Sequence, residues 1–209
     1  MQSESRVMSA TDFTRLLDDL RDRVPERVLA AVASIDRRSF VPEELRDRAW
    51  EDSSLPIGED QTISQPSLVA KMVTLIQPPA AGRVLDIGTG SGYHAAVLSR
   101  LCARVVSVER HAQLSQTAAA NLAAAGVTNV ELLVGDGTAG VPDRAPFDAI
   151  NVAAATAGKR LRPLSAQLAD RARMVAPVDG TLVAFERDGD RLHRTEHGSV
   201  RFVSLISDD

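Results

Sequence analysis

A chain of 209 residues, 44% of them hydrophobic, can bury a sizeable core and fits one domain. Its 24 Lys and Arg against 28 Asp and Glu give a formal charge of −4, and no basic run forms the footprint of a nucleic-acid binder. The N-terminus lacks a charged start followed by an apolar stretch, and no segment approaches ~18 uninterrupted apolar residues, so a soluble, cytoplasmic protein without membrane contact is expected.

Residues 11–23 carry Phe13, Leu16, Leu17 and Leu20 at helical spacing behind a Thr/Asp cap, and a second short helix is predicted over 26–33. The chain breaks at Pro42, runs through a polar string over 51–65, and enters an apolar-periodic helix at Pro66, anchored by Val69, Met72, Val73 and Ile76. This first ~75 residues reads as helices and loop with no strand pattern. After Pro78-Pro79, short β-branched runs alternate with Ala- and Leu-rich segments, which predicts βαβ units wound into a mostly parallel sheet. Strand-like runs at 181–186 and 199–206 around an Asp-Gly turn predict an antiparallel hairpin at its end. A single domain, 1–209, is expected, with a helical, substrate-facing segment over 1–77 and an α/β core over 78–209.

Metal chemistry finds little support. Cys102 stands alone, which excludes a disulfide framework and a cysteine zinc site and leaves a small buried hydrophobe. His193 and His197 are four apart, but Gly189 and Gly198 mark their surroundings as hairpin rather than helix, and His94 and His111 are isolated. No metal is expected.

The informative element is "VLDIGTGSGYHAAVL", residues 84–98: a buried strand, a glycine turn and a helix. Gly88, Gly90 and Gly92 allow a sharp turn and a close ligand approach at the strand's carboxyl end. The third glycine comes one residue earlier than in the dinucleotide fingerprint, Tyr93 takes the fingerprint position, and Asp86 precedes the loop. An acid there suits an ammonium group better than a pyrophosphate. Glu109 ends the next strand, where a carboxylate accepts from ribose hydroxyls, and Asp136 follows the third strand, within reach of an adenine edge. Ammonium, ribose and adenine without phosphate describe S-adenosylmethionine.

The segments "FVPEELRDRAWEDSSLPIGEDQTISQPSLVAKMVTLI", "VLDIGTGSGYHAAVLSRL", "VERHAQLSQTAAANLAAAGVTNVELLVGDGTAGVPDRAPFDAINVAAA" and "SVRFVSLI" together resemble the protein-L-isoaspartate O-methyltransferase family, in order and over residues 25–206. The glycine loop marks only a broad methyltransferase class; the "LPIG…QTISQP" string is the specific signal. The resemblance implies a Rossmann-like class I methyltransferase fold and methyl transfer from S-adenosylmethionine to the α-carboxylate of L-isoaspartyl residues in damaged proteins or peptides; the soluble surface is compatible with a monomer. The resemblance implies Ser64 as the catalytic residue, and cofactor contacts from Asp86, Gly88, Thr89, Gly90, Ser91, Gly92, Glu109, Arg110, Gly135, Asp136 and Gly137. It also implies peptide contacts from Ile57, Gly58, Gln61, Thr62, Ile63, Ser64 and Gln65.

The chemistry explains the sparse polar inventory. A carboxylate of pKa ~4 is already ionised at neutral pH, so attack on a sulfonium methyl needs no general base, and catalysis becomes a matter of positioning. The Ser64 hydroxyl and nearby backbone N–H groups are suited to hold one carboxylate oxygen while the other attacks. The chain departs from the family at Ser67, where an aromatic or histidine is common, and around Asn151 and Arg171-Ala172-Arg173. Three other readings stay open: a relative that methylates an aspartyl carboxylate of a biosynthetic peptide or a small molecule, a catalytically silent cofactor-binding or interaction protein, and a nucleotide-binding dehydrogenase.

Overall fold

The computed structural model describes residues 2–207. Two helices, α1 (Gln2–Arg21) and α2 (Glu26–Ala33), lead through short 3-10 turns to a small hairpin of β1 (Leu55–Gly58) and β2 (Gln61–Ile63), then to α3 (Pro66–Ile76). The α/β core follows as β3 (Arg83–Ile87), α4 (Tyr93–Ser99), β4 (Arg104–Glu109), α5 (Ala112–Ala124), β5 (Val130–Val134) and β6 (Phe147–Val152). It closes with α6 (Arg162–Ala166), β7 (Leu168–Val178), β8 (Thr181–Asp188) and β9 (Arg191–Ser199). Among the described residues no helix is long and apolar enough to cross a membrane.

The main sheet runs β5-β4-β3-β6-β7-β8-β9. Its first five strands are parallel, and β8 and β9 add antiparallel at the edge. Strand order reverses at β3, which pairs with both β4 and β6; a crevice opens there at the strands' carboxyl ends. Successive side chains point to opposite faces, so Val84, Val105, Ala149 and Val175 join one core with α1 to α4, while Leu85, Val106, Ile150 and Met174 join a second beneath α6. Burial on both faces explains why these strands read as continuous apolar runs.

Three expectations are corrected. The first helix spans Gln2–Arg21 rather than 11–23. The stretch read as strandless contains the β1–β2 hairpin; strands of three and four residues are too short to display alternation. Its turn places Glu59 and Asp60 at φ 51° and 54°, a conformation usually announced by Asn or Gly. The terminal hairpin does turn after Asp188, but its second strand is the polar, exposed Arg191–Ser199 and not the apolar 199–206. Residues 200–206 leave the sheet edge as a strap, held where Ala155 N–H donates to the Val203 carbonyl and Leu205 N–H donates to the Ala155 carbonyl, both at 2.7 Å.

Candidate active site

The glycine loop after β3 bends through Gly88, Gly90 and Gly92 at φ 91°, 55° and 93°, all in the left-handed region. A Cβ on Gly92 would come within 3.3 Å of Ala118 and Leu122 of α5, so this glycine lets helix and loop pack closely.

The loop's N–H groups are turned inward. Gly88 and Thr89 donate to the Val108 carbonyl, Gly92 donates to the Thr89 carbonyl, and Gly90 donates to Glu109 Oε2 at 2.8 Å. These four donors are thus spent inside the protein and are not aimed at a ligand phosphate. Glu109, 6% exposed, is fixed by that bond and by the His111 N–H on Oε1 at 3.0 Å. A fixed carboxylate beside this loop fits a nucleoside ligand with free hydroxyls and a cationic group, as in S-adenosylmethionine.

Asp86 is placed differently from the expectation of direct contact. The β3 register sets it opposite Ser107 on β4 and Asn151 on β6. Ser107 Oγ donates to its Oδ2 and Asn151 Nδ2 to its Oδ1, both at 2.7 Å. It is fully buried and lines none of the cavities described below. Burial pushes its carboxyl up from 3.8 to about 6, against the two hydrogen bonds, with Glu109 adding a smaller push the same way. The network continues at both ends: Thr89 Oγ1 lies 2.6 Å from Ser107 Oγ, and Asn151 Nδ2 lies 3.3 Å from His94 Nδ1. Ser107 has one hydroxyl proton and gives it to Asp86, so Thr89 is the donor in their contact. Burial holds His94 neutral, its pKa lowered to about 3, and Nδ1 accepts from Asn151, so the proton sits on Nε2. That Nε2–H, like the Ser91 hydroxyl, has no partner among the described residues.

Three cavities meet at this place. A large cleft of about 1280 Å³ is lined by α1, α3, the Thr62–Gln65 strip and the strap. A narrow cleft of about 60 Å³ runs over the ends of β3, β4 and β6, past Gly88, Gly90, Glu109, Arg110 and Gly137, under strap residues 203–206. A recess of about 40 Å³ lies between Ser64 and the glycine loop and includes Ser91 and His94. Thr62 and Ala153 line all three, and Ser64 lines the large cleft and the recess.

Of the other expected site residues, Gln61 lines the narrow cleft, Ile63 and Thr89 the recess, and Gln65 the large cleft. Ile57 packs against the glycine loop, where a Cβ on Gly90 would lie 3.2 Å from its Cδ1. Gly58 turns the β1–β2 hairpin at φ 93°. Gly135 ties β5 to β4 through the Glu109 carbonyl, and Asp136 caps the next turn by accepting from Thr138 N–H at 2.8 Å. Gly58, Gly135 and Asp136 are outside the three linings.

Sequence reasoning missed Arg37. This fully buried arginine donates to the carbonyls of Ala49, of Ser53 at 3.0 Å and of Ser64 at 3.0 Å, with a longer contact to Glu51. Burial lowers its pKa to about 10, well above neutrality, so the charge is retained. It therefore clamps the backbone of the residue whose hydroxyl, without a partner among the described residues, faces the cavities. The strap was missed as a wall of both clefts; its apolar run was visible but pointed to a strand.

A family model described as Protein-L-isoaspartate(D-aspartate) O-methyltransferase matches residues 11–209. The chain is 50% identical over 184 residues to the protein-L-isoaspartate O-methyltransferase of Methanoregula boonei, covering 86% of this chain and 84% of that one. It is 47% identical over 206 residues to that of Roseiflexus castenholzii, covering 95% and 94%. Among solved structures, a protein-L-isoaspartate O-methyltransferase superposes with a TM-score of 0.83 at 28% identity, over 93% of this chain and 66% of that chain. A Plasmodium falciparum structure of this kind, in complex with S-adenosyl-L-homocysteine, gives 0.76 at 22% identity, over 93% and 98%, which shows likeness of fold.

Proposed function

The chain belongs to the protein-L-isoaspartate(D-aspartate) O-methyltransferase family, and from that membership we propose how its residues divide the work of methylating the α-carboxylate of an L-isoaspartyl residue. The donor, S-adenosylmethionine, supplies an electrophilic methyl on a sulfonium. The residues that would hold it are the glycine loop, Glu109, Arg110 and Gly137 along the narrow cleft, with the Ser91 hydroxyl and His94 Nε2–H as unspent polar groups in the recess. Asp86 acts one layer behind, fixing Thr89 through Ser107 and His94 through Asn151.

The acceptor enters from the large cleft. Its carboxylate is ionised at neutral pH, so no residue has to remove a proton. Ser64 holds it: the hydroxyl donates to one carboxylate oxygen and leaves the other to attack, and Arg37 fixes the backbone from which that hydroxyl projects. A neutral donor orients the nucleophile without quenching it as an arginine in the same place would. The observation that carries this reading is that Ser64 lines both the large cleft and the recess against the glycine loop. Damaged proteins or peptides are the substrates, and the methyl ester formed is the species that collapses to a succinimide during repair.

Labelled methyl transfer to matched isoaspartyl and aspartyl peptides tests it. The isoaspartyl peptide is methylated by orders of magnitude faster. Ser64→Ala lowers kcat about 10- to 100-fold, the value of one hydrogen bond to a charged group, and leaves S-adenosylhomocysteine affinity unchanged. Unaltered turnover in Ser64→Ala removes the role given to the hydroxyl; equal transfer to both peptides removes the isoaspartyl assignment.

A further inference from the structure

The large cleft differs in charge from the molecule around it. Acidic residues outnumber basic ones 28 to 24 in the chain, yet the described lining of this cleft contains Arg23, Lys71 and Arg201 and no Asp or Glu. The three cations come from separate parts of the fold: Arg23 follows α1, Lys71 lies on α3, and Arg201 lies on the strap. All three are exposed. Lys71 Nζ donates to the His197 carbonyl at 2.6 Å, which fixes its charge at the cleft wall. Asp52 stands beside the cleft without lining it, and its carboxylate accepts from Ser67 N–H at 2.9 Å and from Gln65 Nε2 at 3.4 Å. Between the cations the wall is apolar, with Leu20, Val24, Leu68, Val200 and Phe202. Like charges set in low-dielectric walls focus their field into the cleft.

The isoaspartyl group brings a single carboxylate, which Ser64 receives by a neutral donor. Three cations farther along the same cleft are more than that group can use. The cleft volume of about 1280 Å³ also exceeds the ~300–1,000 Å³ that suits a small ligand, so residues on either side of the reacting one lie within it. We propose that the cleft selects isoaspartyl sites flanked by further acidic residues, whose carboxylates are drawn to Arg23, Lys71 and Arg201. This rests on the reading of Ser64 as the acceptor-facing residue and names the substrate class of that same site.

The test uses isoaspartyl peptides of one length that differ only in flanking residues: Glu on both sides, Gln on both sides, or Lys on both sides. At low ionic strength kcat/KM falls in the order Glu, Gln, Lys, with roughly ten-fold between the extremes. The spread narrows at about 0.5 M salt, where the Debye length is only a few ångströms. In the double variant Arg23→Gln, Arg201→Gln the Glu-to-Lys ratio shrinks toward one, while S-adenosylhomocysteine binding reports that the variant is folded. Brisk methylation of all three peptides at equal kcat/KM overturns the charge selection and leaves the isoaspartyl activity standing. Methylation of none of them removes that activity and this proposal with it.

Discussion

Arg37→Met replaces a buried clamp with an apolar side chain of similar length. The arginine makes three close hydrogen bonds, to the carbonyls of Ala49, Ser53 and Ser64. Each is worth ~1.5–3 kcal/mol as a bond from a charged donor. That gross gain is opposed by the several kcal/mol needed to desolvate the guanidinium, so the bonds do not simply add. Removing the donor leaves three carbonyls without it at ~1–3 kcal/mol each, and with the desolvation of the guanidinium relieved a net loss of about 3–5 kcal/mol is expected. For a chain of this length that is a fall in Tm of about 6 to 20 °C. Arg37→Lys keeps a charge but offers a point donor that cannot span carbonyls from three stretches of chain, and falls between wild type and Arg37→Met. Thermal unfolding followed by circular dichroism reads the stability. Methyl transfer measured well below each variant's Tm reads the consequence for Ser64: kcat drops about 10- to 100-fold because the hydroxyl loses its fixed backbone. A Tm within about 2 °C of wild type, or undiminished kcat in folded Arg37→Met, refutes the reasoning.

Asp86 is raised in the fold from 3.8 to about 6, so its protonated form is favoured in the native state relative to the unfolded chain. Its contribution to stability is therefore fully present below pH ~4 and is lost as pH rises through about 6, a difference of roughly 3 kcal/mol. A carboxyl-carbon NMR titration should give a midpoint near 6; a midpoint at or below about 4 contradicts the burial argument. At Gly137, an added Cβ would lie 2.6 Å from Ile87 Cγ2, and both residues line the narrow cleft. Gly137→Ala is expected to cost about 1–3 kcal/mol of stability by overpacking and to weaken S-adenosylhomocysteine binding several-fold by calorimetry; unchanged affinity shows that the cleft floor yields without effect.

The parallel core was legible because strands such as Arg83–Ile87 and Arg104–Glu109 are buried on both faces and their glycine turn has no other use. The Ser64 strip stood out by its unusual polar string before a plain helix. What escaped depended on relations across the chain. Arg37 and Arg38 are adjacent and alike in sequence, yet one is buried among carbonyls and the other pairs with Asp36 at the surface. Asn151 was visible as an oddity, but its work appears only when the β3–β6 register sets it opposite Asp86. The strap failed for the opposite reason: its apolar alternation has the period of a strand, and the face it serves is a cleft wall.

The strap also ties together the traffic of two molecules. Residues 200–203 wall the large cleft and 203–206 roof the narrow one, with Val203 in both; Val200 N–H donates to the Gly180 carbonyl at 2.9 Å, and two backbone hydrogen bonds at Ala155 hold residues 203 and 205. A peptide lodged against Phe202 would rest on the same short piece of chain that covers the nucleoside cleft, so occupancy of one site is expected to change affinity at the other, which S-adenosylhomocysteine titrations with and without bound peptide measure.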